Sequence, residues 1–124
     1  MAKKKKIASD TLIDGILKGM QEIKASDIVV MNMKEIGNAV CDYFIICHGN
    51  SNTQVKAIAD SVEKEVFLSS NEEPRKKEGM QNGEWILLDY FDVVVHIFQK
   101  SARDFYHIEK LWADADVKQI IYES

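Results

Sequence analysis

The fold is decided by the stretch Tyr43-Phe44-Ile45-Ile46-Cys47-His48-Gly49-Asn50-Ser51-Asn52. Its first five residues are apolar or aromatic without polar alternation, which is typical of a strand inside a sheet covered on both faces. The polar residues that follow predict a turn, and Ser51 or Asn52 can cap a helix. In that helix the apolar residues recur at helical spacing: Val55, Ile58, Ala59, Val62, Val66 and Phe67. The stretch therefore predicts a strand that leads directly into a helix.

The flanking segments predict the rest of one layered domain. Before the central strand, an apolar stripe after Asp10 predicts an amphipathic helix of about four turns, capped by Ser9 or Asp10, and residues 27–33 predict a strand. After it, residues 85–90 and 93–98 predict a β-hairpin, and residues 102–112 a short helix or a pair of helical turns. The last segment, 113–124, has Val117, Ile120 and Ile121 at helical spacing and predicts a terminal helix. This order favours a single α/β or α+β domain whose mixed sheet is flanked by helices.

The charges divide into a basic tail and an acidic body. The 124 residues carry 16 Lys or Arg and 20 Asp or Glu, a net charge of −4. Four of the lysines are Lys3, Lys4, Lys5 and Lys6, so the remainder has 12 basic and 20 acidic residues, a charge of −8. An acidic body argues against duplex nucleic acid as the principal ligand and suits a basic protein surface. Residues 1–8 read as a flexible tail, either a solvated extension or an arm that contacts RNA.

The sequence also predicts a cytoplasmic protein. Apolar runs are much shorter than the ~20 residues of a membrane span, so no membrane association is expected. The start of the chain has no apolar segment after its lysines, as a secretory signal would. Cys41 and Cys47 flank an apolar run, which suits reduced thiols in a reducing compartment.

Phosphate-transfer chemistry is the first enzymatic alternative. The turn Gly49-Asn50-Ser51 resembles the Gly-Ser turn with which nucleotidyltransferases hold a phosphate at a helix N-terminus. Such enzymes also need paired carboxylates for a divalent metal. Asp60 and Glu63 fall in the middle of the predicted helix, and Asp89 and Asp92 flank a hairpin turn. We therefore expect a helix cap at this turn, with no cofactor and no catalytic residue.

The sequence supports neither a metal site nor a Cys-His nucleophile. Cys47 and His48 are adjacent on a strand and point to opposite faces, so they cannot chelate one ion together. His96 and His107 have no helical partner at four residues' spacing, and nothing orients Cys47 towards His96. We expect no metal.

An interface is better supported, although two features have alternative interpretations. His96 shares a strand face with Val94 and Phe98, and is either a core histidine with paired nitrogens or a contact residue at a functional edge. Six aromatic residues lie in the C-terminal part of the chain: Trp85, Tyr90, Phe91, Phe105, Tyr106 and Trp112. They are either core residues or interface anchors around Arg103. A strand face with Trp85, Leu87 and Asp89 beside Asp92 would offer apolar anchors in an acidic frame, which predicts a binding module for a basic partner.

Four segments of the chain, residues 42–51, 85–90, 92–98 and 103–112, resemble the ribosomal silencing factor family, also called the Iojap family. The resemblance covers about residues 9–113, and residues 9–124 are assigned to this one domain. It implies a nucleotidyltransferase-like α/β fold without the catalytic acids. It further implies binding to ribosomal protein L-fourteen on the large subunit, which blocks joining of the small subunit and represses translation under nutrient limitation. Members are often dimeric off the ribosome.

The resemblance also carries over a set of partner-binding residues: Trp85, Leu87, Asp89, Asp92, Val94, His96, Arg103 and Tyr106. Asp42 and Tyr43 are expected to support the fold. Two features depart from the family: Phe91 stands where Gly is usual, and the chain beyond Trp112 exceeds the family core. Since Phe does not adopt positive φ cheaply, we expect a longer turn or another turn type, with an exposed ring. The alternative functions are a nucleotide-binding transferase that uses residues 49–51 and a large-subunit assembly factor.

Overall fold

A six-stranded mixed sheet organises the computed structural model, which describes residues 8–36, 41–111 and 116–120. Its strands are β1 (Ser26–Asn32), β2 (Tyr43–Gly49), β3 (Lys76–Glu78), β4 (Trp85–Asp89), β5 (Val93–Gln99) and β6 (Asp116–Ile120). They lie in the order β3-β4-β5-β2-β1-β6. Only β2 and β5 pair in parallel, from Tyr43 opposite Val93 to Gly49 opposite Gln99. The apolar strand of the deciding stretch is thus interior, and the hairpin is β4–β5, both as predicted.

Two long helices, α1 (Ala8–Glu22) and α2 (Asn52–Ser70), cover one face of the sheet. Their apolar stripes pack on residues such as Ile45, Val95 and Ile97, all fully buried. Two short helices, α3 (Lys100–Tyr106) and α4 (Ile108–Leu111), contact the opposite face through Ala102 and Ile108. This is the pair of helical turns that the sequence predicted. Because the second pair is much shorter than the first, the two faces are covered unequally.

Two glycines allow α1 and α2 to approach closely. A Cβ atom at Gly19 would lie 2.5 Å from the Cα of Val62, and one at Gly15 would lie 2.7 Å from the Oγ of Ser69. The first contact is with backbone, which cannot rotate away. Side chains at these positions would therefore push the helices apart and loosen the core beneath them.

The N-terminus of α2 is capped as predicted, whereas that of α1 is not. Ser51 is the N-cap of α2, and its Oγ accepts a hydrogen bond from the backbone N–H of Gln54 at 3.1 Å. Ser9 and Asp10, the predicted caps of α1, both lie inside that helix, which is described from Ala8. The prediction was wrong because helical periodicity locates a helix better than its first residue. Residues 1–7 of the predicted tail lie outside the described part of the chain.

The C-terminal prediction needs a correction. Residues 116–120 form β6, not a helix, and pair antiparallel with β1 from Ile28–Ile120 to Asn32–Asp116. The edge of β1 offers unpaired N–H and C=O groups, and a strand satisfies them where a helix would not. Ile121 lies outside the described residues. Among the described helices, none is long and apolar enough to cross a bilayer.

Candidate partner-binding site

The side chains of the β4–β5 hairpin alternate between the two faces of the sheet. Ile86, Leu88, Val93, Val95 and Ile97 point towards α1 and α2. The side chains between them point the other way and form what we call the hairpin face: Trp85, Leu87, Asp89, Val94 and His96. Cross-strand pairing sets Leu87 opposite His96 and Asp89 opposite Val94. The hairpin therefore brings five of the eight predicted binding residues onto one surface.

Burial differs among these residues. Trp85, Leu87 and Asp89 on β4 are half-buried, whereas Val94 and His96 on the more central β5 are buried. Strand β4 therefore forms the accessible part of the hairpin face, and β5 supports it from below. A partner that docks here would contact the β4 side chains first.

An aromatic cluster forms around Trp85. Its ring stacks on Phe98 at a centroid distance of 4.9 Å and contacts the ring of Tyr106 at 4.8 Å. Tyr106 in turn contacts Phe105 edge-on at 5.0 Å. Half of Tyr106 is exposed, as is most of Phe105. Trp85 and Tyr106, predicted separately from the sequence, are thus one partly exposed aromatic surface, a composition typical of interface anchors.

His96 is hydrogen-bonded on one side only. The Nε1–H of Trp85 donates to its Nδ1 at 3.1 Å, while its buried Nε2 has no partner among the described residues. Burial lowers the pKa of His96 to about 4, so the ring is neutral at pH 7. Because Nδ1 accepts, the proton is on Nε2. The structure therefore combines the two interpretations: a core histidine, but one with an unused donor.

Arg103 is placed differently from the other predicted binding residues. It is 8% exposed, and its guanidinium bonds to atoms of the protein itself. Nη1 donates to the backbone carbonyl of Asp27 at 2.8 Å and contacts Nδ1 of His48 at 2.9 Å, and Nη2 donates to the Glu109 carboxylate at 2.6 Å. Burial, and then this guanidinium, lower the pKa of His48. Arg103 thus joins α3 to β1, β2 and α4.

The hairpin turn holds an aromatic residue at positive φ. Phe91 has a φ of 80°, so the expectation that Phe would avoid this conformation was wrong. The turn is short: the Asp92 N–H donates to the Tyr90 carbonyl at 3.0 Å. For a bulky residue such a conformation costs on the order of 1–3 kcal/mol. The positive φ of Phe91 is held by Asp89, whose Oδ1 accepts a hydrogen bond from the Phe91 N–H at 2.7 Å. The ring is exposed, as expected, and Asp92 beside it is exposed too.

The turn after β2 is occupied by the protein's own side chains. Gln54 accepts the N–H of Asn50 on its Oε1 at 2.8 Å and donates from Nε2 to the Ile23 carbonyl at 3.2 Å. With Ser51 as the cap, the N–H groups of Asn50 and Gln54, two of those that a phosphate at this turn could use, are already hydrogen-bonded. Glu63 lies within α2, as predicted, and accepts from Lys77 at 3.3 Å. The geometry is that of a helix cap.

The described residues contain no group of three or more His, Cys, Asp or Glu side chains that could hold a metal ion. The two thiols are also poor nucleophiles. Burial raises the pKa of Cys41 to about 11 and that of Cys47 to about 12, so both are protonated at neutral pH.

Three supporting residues were not among the predicted binding residues. Phe98 stacks on the Trp85 ring. Its place beside the site was predictable, since it lies two residues after His96 on the same strand face. Arg75 ion-pairs with Asp89 at 3.2 Å, and Glu109 pairs with Arg103. Arg75 and Asp89 belong to separate segments that meet only once the sheet has formed, and Arg103 and Glu109 are six residues apart, a spacing that does not share one face of a single helix.

Comparisons with known proteins identify the family of the chain. The family model described as "ribosomal silencing factor during starvation" matches residues 6–123. The ribosomal silencing factor of Bacillus subtilis is 43% identical over 97 residues, covering 78% of this chain and 80% of the relative. That of Halalkalibacterium halodurans is 39% identical over 114 residues, covering 92% and 96%. The crystal structure of protein CV0518 from Chromobacterium violaceum superposes with a TM-score of 0.78 at 30% identity, covering 91% of this chain and 92% of that one. The chain belongs to the ribosomal silencing factor family.

Proposed function

We propose that this protein binds ribosomal protein L-fourteen on the large ribosomal subunit and thereby sterically blocks association of the small subunit, repressing translation under nutrient limitation. The observation that supports this proposal most is the hairpin face. There a half-buried tryptophan is fixed by a hydrogen bond to His96, and two carboxylates, Asp89 and Asp92, lie at one end.

The chemistry of this surface suits a basic protein partner. Trp85 and Tyr106 offer rigid aromatic area, which loses little side-chain entropy on binding. Asp92 is exposed, and the body of the chain carries a charge of −8. A basic ribosomal protein would be attracted to this surface over a Debye length of about 10 Å at moderate salt.

Repression by occlusion needs no chemical step. The protein has only to cover part of the face at which the subunits meet, with an interface of ordinary size, about 800 Å² on each partner. The hairpin face together with the exposed part of α3 offers a surface of the right composition. In this proposal Val94, His96 and Arg103 act mainly by holding the exposed residues in place, because all three are buried.

The remaining parts of the proposal follow from composition and family. We expect the protein to act in the cytoplasm, with a homodimer as its form off the ribosome. The lysines at 3–6 would add a peripheral contact with ribosomal RNA. Removing them should then reduce the salt dependence of large-subunit binding, because fewer counterions are released.

A subunit-association assay tests the central claim. Purified small and large subunits are mixed with increasing amounts of the protein, and formation of whole ribosomes is followed by light scattering. We expect a dose-dependent loss of whole ribosomes that requires prior incubation with the large subunit. Binding to the large subunit without any loss of association would favour an assembly factor, and absence of binding would overturn the proposal. Phe67→Ala, at an exposed position on α2, is the matched control variant.

A further inference from the structure

Phe91 combines two unfavourable features at the tip of the β4–β5 hairpin. Its backbone is held at a φ of 80°, and its ring is 62% exposed. A glycine would adopt the same turn without strain, and a polar residue would avoid exposing a phenyl ring to water. Within the free protein the described contact of the ring is with the guanidinium of Arg75, and most of the residue remains open to a partner.

The ring is held in one place. Asp89 fixes the backbone by accepting the Phe91 N–H at 2.7 Å, and its other oxygen pairs with Arg75 at 3.2 Å. The guanidinium of Arg75 lies 4.7 Å from the ring centroid of Phe91. Since Asp89 belongs to the hairpin face, Phe91 extends that surface beyond the end of the strands.

A cavity of about 220 Å³ opens beside the ring. Phe91 forms part of its wall, and the carboxylates of Asp42 and Asp92 lie on it as well. Lys34 also lines the cavity, and its ammonium group lies 5.1 Å from the centroid of the Tyr43 ring. Tyr43 and then Asp42 raise the pKa of Lys34, so Asp42 already faces a cation and the exposed Asp92 is the acid open to a partner. An aromatic wall with carboxylates nearby suits a long basic side chain, whose methylene stem packs on a ring while its charge meets an acid.

We propose that Phe91 is an anchor for the ribosomal partner, and that its ring receives the stem of a Lys or Arg side chain whose charge pairs with Asp92. This inference rests on the proposed function, because the partner is the basic protein that the hairpin face binds. The strained turn keeps the ring exposed in the free protein, so that it need not be ordered during binding.

Four variants test the anchor: Phe91→Gly, Phe91→Ala, Phe91→Tyr and the control Phe67→Ala. Each is measured for its melting temperature and for its dissociation constant with purified large subunits. We expect Phe91→Gly to melt at or above the wild-type temperature, because glycine relieves the positive φ, and yet to bind about tenfold more weakly. Phe91→Ala should bind as weakly as Phe91→Gly, whereas Phe91→Tyr and Phe67→Ala should bind within about twofold of wild type.

The outcomes separate the anchor from the function. If wild type binds large subunits and both Phe91→Gly and Phe91→Ala bind equally well, the ring is no anchor, while the proposed function stands. If wild type itself fails to bind, the proposed function is wrong and the anchor with it. Loss of binding by a Phe91→Gly protein that is as stable as wild type supports the anchor, since a folding defect would lower both the melting temperature and the affinity.

Discussion

The indole Nε1–H of Trp85 donates a hydrogen bond to Nδ1 of His96 across 3.1 Å, linking a half-buried side chain on β4 to a buried one on β5. The bond fixes the orientation of the indole, which also stacks on Phe98. Trp85 is therefore ordered before any partner arrives, and binding does not have to restrict its rotamers. This favours a rigid docking surface over one that folds on binding.

Trp85→Ala should abolish co-sedimentation with large subunits. The variant removes the centre of the aromatic cluster, and loss of such an anchor typically weakens binding by 2 kcal/mol or more, about 30-fold. Trp85→Phe keeps an aromatic ring but loses the donor to His96, so its binding should be intermediate. Co-sedimentation of Trp85→Ala at the wild-type level, with the fold verified by circular dichroism, would remove this residue from the site.

Asp92→Lys should weaken binding most at low salt. The side chain is exposed, and the hydrogen bonds described for Asp92 involve its backbone: its N–H donates to the Tyr90 carbonyl, and its carbonyl accepts from the N–H groups of Asp42 and Tyr43. The substitution should therefore leave the fold intact and place a positive charge against a basic partner. Association rates at two salt concentrations, measured by surface plasmon resonance, test this expectation. Equal effects at both concentrations would mean that Asp92 does not face a basic surface.

Asp89→Lys should differ from Asp92→Lys in its effect on stability. The side chain of Asp89 accepts from both Arg75 and the backbone of Phe91, so its replacement should also lower the melting temperature. If Asp89→Lys and Asp92→Lys are equally stable, the described bonds to Asp89 contribute little to the turn.

Arg103→Met should destabilise the fold by on the order of 2 kcal/mol, measured by urea unfolding. Methionine retains much of the stem but leaves the Asp27 carbonyl and the Glu109 carboxylate without their donor. The loss is smaller than the roughly 3–5 kcal/mol of a fully buried pair because Glu109 is about one-third exposed. Arg103→Lys should recover only part of the loss, because a lysine lacks the planar fork. A variant that is fully stable and yet fails to bind large subunits would identify Arg103 as a contact residue.

Stability should fall between about pH 6.5 and about pH 4 partly through His96. Its pKa is lowered from 6.5 to about 4 by burial, so in this range the imidazole is protonated in the unfolded chain but not in the folded protein. The contribution is full above pH 6.5 and is lost as the pH falls towards 4, with a size on the order of 3 kcal/mol. His48, whose pKa is also lowered, acts in the same direction.

An NMR titration of the imidazole resonances measures the effect directly. We expect His96 to stay neutral at pH 5 with its proton on Nε2. Protonation of His96 near pH 6.5 in the folded protein would show that the ring is accessible to water, contrary to this expectation.

Much of the sheet is predictable because its core strands carry their own signal. The apolar run at residues 43–47 and the largely apolar residues of β4 and β5 record burial on one or both faces. Strand β6 carried no comparable signal: Val117 and Ile120 are spaced as in a helix, and yet both pair with β1. There the available hydrogen-bonding edge, not periodicity, determined the structure.

The candidate site was predictable in its location but not in the roles of its residues. The alternation of β4 and β5 was enough to group Trp85, Leu87 and His96 on one surface. The burial of Arg103 was not predictable, because it depends on Asp27 and His48, far away in the sequence. The turn at Phe91 was mispredicted because the local preference of Phe is overridden by the carboxylate of Asp89.

The short strand β3 bears on how the protein avoids aggregation through the edge of its sheet. It forms one edge of the sheet, and its three residues, Lys76, Lys77 and Glu78, are all charged and exposed. A neighbouring molecule that added a strand here would have to bring its backbone against these charges, all three of which are engaged in ion pairs, Lys76 with Glu78 and Lys77 with Glu63. Short, lysine-rich edges of this kind suppress sheet-to-sheet aggregation. The protein can therefore expose aromatic area on one face of its sheet while its β3 edge resists amyloid-like growth.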